Sequence, residues 1–246
     1  MVGVAVVVRL LGEVGAEVGG RPVSLGTPRQ RCVLAALAAD AGRVVPVDRL
    51  VERVWGVEAA PRARATLYGY VSRLRGALAG ADEVAIVRRS GGYALVAETA
   101  EPVVDLQRFR ELCAWARDDD APVVRTLTEA LGLWRGEALT GVHGEWAQAE
   151  RDRLEQLRLA VQHDLVDARL RTGESGELVA ELAARTARHP LDERVAGQYL
   201  LALHRAGRTN DALDHYRTTR ARLIEELGVE PGTALQRLHQ QVLAVD

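Results

Sequence analysis

The stretch PRARATLYGYVSRLRGAL, Pro61 to Leu78, constrains the fold of this chain more than any other. Leu67, Val71, Leu74 and Leu78 recur at i, i+4, i+7 and i+11, which at ~100° per residue is one narrow apolar stripe on a helix. The rest of that helix must face outward. Arg62, Ala65, Gly69, Ser72, Arg73 and Gly76 fall opposite the stripe, while Arg64, Tyr68 and Arg75 line one flank. Pro61 is expected at the first helical position, where a missing N–H costs nothing. A helical face that is both small and basic can lie close to another surface, and arginine forks pair bidentately with phosphate or with guanine edges. On its own, the pattern also suits a solvated helix with several arginines. The neighbouring segments decide between the two.

Upstream, Thr27-Pro28-Arg29-Gln30 combines a capping threonine, proline at the first helical position and glutamine three residues after the cap, so a helix starts there. Cys32, Val33, Leu34, Ala36 and Leu37 give it a broad apolar face, and Gly42 is placed to end it. Val47, Leu50, Val51, Val54 and Trp55 form a second, short amphipathic helix that stops at Gly56. After Gly80 the period falls to two. Val84 to Val87 and Tyr93 to Val96 read as strands of a hairpin joined through Arg88-Arg89-Ser90-Gly91-Gly92. Helix, short helix, turn, basic helix, hairpin is the order of a winged helix-turn-helix. Arginines at the hairpin tip can reach a phosphate or a narrow minor groove, the alternative being a solvated charged turn. Ahead of this unit, the run Val4 to Leu11 and the alternating Pro22 to Leu25 suggest a small antiparallel sheet, with Gly12, Gly15 and Gly19-Gly20 as turns. These glycines do not form GxGxxG after a strand, so they do not mark a dinucleotide site.

Ala97 to Val103 reads as a linker, which divides the chain into residues 1–99 and 100–246. Beyond it the pattern is helical throughout. Leu106, Phe109, Leu112 and Cys113 make one face; Leu127, Ala130, Leu131 and Trp134 another; Leu154, Leu157, Val161, Leu165 and Ala168 a third. Ala168-Arg169-Leu170-Arg171-Thr172-Gly173 and Ala202-Leu203-His204-Arg205-Ala206-Gly207 share Ala, Arg and Gly at an offset of 34 residues, the tetratricopeptide period. A helix follows each glycine and stops before Pro190 or Pro231, the second being longer by seven residues on this spacing. Ala212 and Tyr216 stand where such repeats place small and aromatic packing residues. Stacked helix pairs of this kind make concave protein-binding surfaces.

Net charge follows the same division. Residues 1–99 hold 13 Arg against 9 acids, a net +4, and residues 100–246 hold 19 Arg against 25 acids, a net −6. A front half at +4 can bind nucleic acid only by placing a few arginines well. Because every basic residue is arginine, chemistry that needs a P-loop, Schiff-base or catalytic lysine is excluded. The six histidines show no metal-ligand spacing, no GxSxG occurs, and Asp118-Asp119-Asp120 lacks the later carboxylate of a calcium loop. Neither an enzyme nor a metal or cofactor site is expected. Cys32 and Cys113 read as buried thiols, and Trp55, Trp115, Trp134 and Trp146 as core. The run Val4 to Val8 is too short to span a bilayer and has no basic flank, so no membrane association and a cytoplasmic location are expected.

The segments TPRQRCVLAALAADAGRVVPVDRLVERVWG, ATLYGYVSRLRGAL, IVRRSGGYAL, ALGLWRGEAL, AERDRLEQLRLA and HPLDERVAGQYLLALHRAGRTNDALDHYRTTRARLIEELGVEPG together resemble the Streptomyces antibiotic regulatory protein family over nearly the whole chain. The resemblance implies an α+β chain: an OmpR-type winged helix with small sheets, then an all-α bacterial transcriptional activator domain with tetratricopeptide-like helices. It implies an activator of secondary-metabolite gene clusters that binds direct repeats near the −35 region, associates with itself on DNA, and contacts RNA polymerase including its sigma factor. It also implies a small member without an ATPase or sensor region. Pro46 stands where a Ser or Thr often caps the second helix, which is expected to loosen that helix start. On residues and resemblance together, DNA contact is assigned to Arg62, Arg64, Tyr68, Ser72, Arg73, Arg75, Arg88 and Arg89, with Arg73 reading bases and Arg62 and Arg75 holding phosphates. The competing reading is a helical-repeat adaptor that binds protein and no DNA.

Overall fold

In the computed structural model, which describes residues 6–80, 84–118 and 123–244, the chain forms two compact units, 1–159 and 160–246. The first begins with a three-stranded antiparallel sheet: β1 (Val6–Arg9), β2 (Gly15–Val18) and β3 (Arg21–Pro22) in that spatial order, with Val8 opposite Ala16. Gly15 is therefore a strand residue and not a turn; the turns are at Gly12 and Gly19-Gly20. Val4 and Ala5, the start of the expected strand, lie outside the described residues.

Helix α1 (Pro28–Ala39) starts as its sequence dictates, with Thr27 Oγ1 accepting from Gln30 N at 3.3 Å. Every residue from Cys32 to Ala39 is buried. A helix apolar all round belongs at the centre of a unit, and α2 (Val47–Trp55), α3 (Ala63–Ala77) and the hairpin pack around it. The Cys32 thiol is pushed up to about 12 by burial, so it is a packing group here and not a nucleophile. The hairpin strands β5 (Val84–Arg89) and β6 (Gly92–Ala97) are joined by a two-residue strand at β4 (Val45–Pro46), giving the order β4-β6-β5. Gly92 sits opposite Pro46, and a Cβ built on Gly92 would lie 2.2 Å from the Val45 carbonyl oxygen. Only glycine lets these two backbones approach so closely.

The same junction ties down the start of α2. Pro46 makes no side-chain capping bond, but the Val47 amide donates to the Gly91 carbonyl at 3.0 Å. A Ser or Thr at 46 would accept from the second or third amide of the helix; the hairpin turn satisfies the first one.

The expected linker is in part a packing element. Val103 and Val104 are buried, and Val8 N donates to Val103 O at 2.7 Å. Asp105, at the start of α4 (Asp105–Asp118), is buried and accepts from the amides of Leu10 at 2.8 Å, Leu11 at 3.1 Å and Leu106 at 2.7 Å. Burial pushes its carboxyl up in spite of those three donors and the Arg135 charge. The loop after α5 (Val123–Gly132) closes the other side of this turn: Arg135 N donates to Leu11 O and Leu139 N to Leu10 O, at 2.7 and 2.9 Å. The front sheet and the turn after it are thus hydrogen-bonded to segments that the sequence assigned to a second half. Asp118 ends α4, while Asp119 and Asp120 lie outside the described residues. Trp115, expected in the core, is 55% exposed with the Arg108 guanidinium over its ring; Phe109 and Trp134, edge to face, fill the core of this region instead.

Helix α6 (Glu145–Arg171) runs into the second unit, which continues with α7 (Ser175–Arg188), α8 (Glu193–Arg205), α9 (Thr209–Leu227) and α10 (Thr233–Ala244). Gly173 and Gly207, the shared glycines, turn at φ 93 and 74°. Ala168 and Ala202 are both buried beside them, as are Ala212 and Tyr216. The second helix of the later copy has 19 residues against 14, an excess of five rather than seven, because Gly228 adopts the left-handed cap and ends α9 before the proline is reached. Two clusters form the core: Val166, Leu170, Leu178 and Leu182 in one, Leu200, Leu203, Leu235 and Val242 in the other.

Candidate nucleic-acid interface

The stripe that defines α3 is fully inward: Leu67, Val71, Leu74 and Leu78 are at most 2% exposed. Pro61 and Arg62 precede the helix in a turn, with Ala63 N donating to Ala60 O at 2.8 Å. Proline therefore stands two residues outside the helix rather than at its first position. The opposite side, from Arg62 through Ala65, Gly69, Ser72 and Arg73 to Gly76, is exposed throughout. At Gly69 and Gly76 nothing lies within 4 Å of the point that a Cβ would occupy. No packing within the chain demands glycine there, although each costs a helix ~1 kcal/mol against alanine.

Two contacts fix the helix to its surroundings. Trp55 of α2 stacks on Tyr70, ring centroids 6.0 Å apart and planes 3° from parallel. Arg75 Nε donates to Ile86 O at 2.7 Å, and its guanidinium lies 5.6 Å from the centroid of Tyr93. Tyr68, 44% exposed, leans against the same Tyr93 at 6.5 Å. Arg75 therefore clasps α3 to the hairpin, a role with no local signal in the residue order, since Ile86 and Tyr93 become its neighbours only when the strands pair.

Charge is distributed unevenly on this surface. Arg64 pairs with Asp48 of α2, both side chains more than 60% exposed at 62% and 76%, a pair that solvent screens to little net worth. Arg62, Arg73, Arg88 and Arg89 have no side-chain partner among the described residues. All eight residues assigned from the sequence are exposed. The hairpin differs from expectation in one respect. Arg88 and Arg89 are not in the turn but end β5, paired with Tyr93 and Gly92, and the turn is Ser90-Gly91 with Gly91 at φ 78°. Successive strand residues face opposite ways, so the two guanidiniums leave opposite faces of the hairpin. Among the described residues no cluster of His, Cys, Asp or Glu could hold a metal, and no helix is long and apolar enough to cross a membrane.

Comparison with known proteins bears on the whole chain. The family model described as bacterial transcriptional activator domain matches residues 104–243, and that described as transcriptional regulatory protein, C terminal, matches residues 20–95. The regulatory protein AfsR of Streptomyces coelicolor is 41% identical over 96% of this chain, which spans about a quarter of that relative's length, 24%. DnrI of Streptomyces peucetius, a regulatory protein, is 36% identical over 97% of this chain and 92% of its own. The transcriptional regulator RedD of Streptomyces coelicolor is 34% identical, covering 99% and 72%. Among solved structures, Mycobacterium tuberculosis EmbR in complex with a low-affinity phosphopeptide superposes with a TM-score of 0.87 at 30% identity, over 99% of this chain and 66% of that one.

Proposed function

Since the chain belongs to the Streptomyces antibiotic regulatory protein family, we propose that it is a sequence-specific DNA-binding activator of a secondary-metabolite gene cluster. It binds direct repeats near the −35 region through α3 and the β5–β6 wing, with copies side by side on the repeats. Residues 1–99 carry DNA contact. Residues 100–246, with their net charge of −6, are a poor partner for a polyanion and act on RNA polymerase and its sigma factor through tetratricopeptide-like helix pairs. The protein works in the cytoplasm.

The observation that carries this reading is the exposed face of α3, where small residues flank Arg62 and Arg73 and neither guanidinium has a partner among the described residues. Unpaired arginines on a face stripped of bulk suit a major groove, where they can donate to guanine edges at full strength. Arg73, on the outward side, reads a base; Arg62, at the helix start, holds a phosphate. The test is an electrophoretic shift on operator and on random duplex. Arg73→Ala should cost ~1–3 kcal/mol on the operator and much less on random DNA. Equal losses on the two would refute base reading by Arg73, and a wild-type chain with no salt-dependent retardation on either would refute DNA binding altogether.

A further inference from the structure

Four arginines from four different segments converge on one cavity in the first unit, away from the residues assigned to DNA. Arg43 follows α1, Arg53 belongs to α2, Arg110 to α4 and Arg153 to α6; with Trp146 they line a cavity of about 500 Å³. That is within the range of small-ligand sites, ~300–1,000 Å³. The carboxylates in its wall are Asp40 and Glu150, and both are taken. Asp40 accepts from Arg53 Nη1 at 2.7 Å; Glu150 accepts from Arg153 Nε at 2.8 Å and Nη2 at 2.5 Å. Arg110 donates to a neutral acceptor, the Ala39 carbonyl, at 3.2 Å, and the Arg43 guanidinium has no partner among the described residues. Four guanidiniums thus stand against two carboxylates in this wall, and only Arg53 and Arg153 are ion-paired among the described residues.

The fold accounts for part of this set. Arg53 also caps α1 through the Ala36 carbonyl at 3.0 Å and lies over the Trp146 ring at 5.3 Å, so its own place is explained by the fold. Arg110 likewise donates to a carbonyl of the last turn of α1, whereas the exposed Arg43 guanidinium holds nothing in the fold. Desolvation and the neighbouring Arg153 hold Arg110 below its ordinary value, against the opposing pull of Glu150 and Asp40.

We infer that this cavity binds a small phosphate-bearing molecule, with Arg43 and Arg110 as its principal partners and Trp146 as one wall. A phosphate group accepts bidentate bonds from planar guanidinium forks better than a halide can. Bound there, it would bridge α2, which lies against α3, to α4 and α6.

Calorimetric titration of the full chain with inorganic pyrophosphate, at ionic strength fixed with sodium chloride and without DNA, tests the assignment. Saturable binding at one site with Kd below about 1 mM is expected. Arg43→Gln combined with Arg110→Gln should weaken it at least tenfold, while Arg88→Ala combined with Arg89→Ala should leave it unchanged. If circular dichroism shows the first variant unfolded, Arg43→Gln alone must weaken binding, since its guanidinium holds nothing in the fold. No saturable heat beyond the chloride control, or full binding by the Arg43 variant, would overturn the proposal. So would a loss that follows the wing variant instead. A short duplex that displaces pyrophosphate and itself loses affinity in the Arg43/Arg110 variant would overturn it as well, by showing the cavity to be a DNA-phosphate contact. Failure of DNA binding leaves this result untouched, because no step of the titration involves DNA.

Discussion

Asp105→Ala should unfold the first unit earlier by about 3 kcal/mol, although the residue lies outside the winged helix. Its two carboxylate oxygens take the amides of Leu10 and Leu11, residues with 0% exposure, which bulk water does not reach. Each orphaned buried N–H costs ~1–3 kcal/mol, and loss of the acceptor at the α4 start adds ~1 kcal/mol. Burial holds the carboxyl above its ordinary value, so removing it also relieves a desolvated charge, which offsets part of the sum. For a unit of this size 1 kcal/mol moves the midpoint by ~2–4 °C, hence a fall of roughly 6–12 °C. All four tryptophans precede residue 160, so tryptophan fluorescence during heating or urea titration reports on this unit alone. A fall under ~2 °C would mean that the two amides find other acceptors, and the reasoning fails. The same contacts bear on dissection of the chain. A fragment ending at Ala97 lacks Asp105 and the Val103 carbonyl and is expected not to fold, whereas one carried to the end of α6 keeps both and is the fragment on which DNA binding and transcription should be compared.

The wing arginines leave opposite faces of β5, so Arg88→Ala and Arg89→Ala should lower the salt dependence of DNA binding unequally, by up to about two units together; unchanged slopes for both would show a merely solvated hairpin end. Gly69→Ala should raise thermal stability by up to ~1 kcal/mol, because space around it is open, while weakening operator binding; unchanged affinity would show that no surface approaches α3 at this point. Gly92→Ala, whose Cβ would meet the Val45 carbonyl oxygen at 2.2 Å, should separate β4 from β6 and release the α2 start, lowering the midpoint by more than 5 °C, or ~2 kcal/mol; near-wild-type melting would refute that close approach.

Periodicity and local chemistry were enough to place most elements. The stripe Leu67 to Leu78, the Thr27 cap, the stop at Gly56 and the period-two hairpin depend on residues within a few positions of one another, and each appears where the sequence puts it. So does exposure of the six assigned positions from Arg62 to Arg75, which follows from the wheel once the stripe is buried. What the sequence could not decide is which distant backbone groups meet. Asp105 reads as one acid among 34, and nothing local tells that it completes the hydrogen bonds of residues 10 and 11, 94 or more positions earlier. Arg75 is indistinguishable on the wheel from a phosphate-seeking side chain until Ile86 and Tyr93 are brought beneath it. Pro46 supplies no cap, and nothing local tells that the Gly91 carbonyl will accept from the first amide of α2. Side-chain periodicity is a property of one segment and is written in its residue order; backbone partners across segments are set by how the segments pack, and tertiary structure alone assigns them.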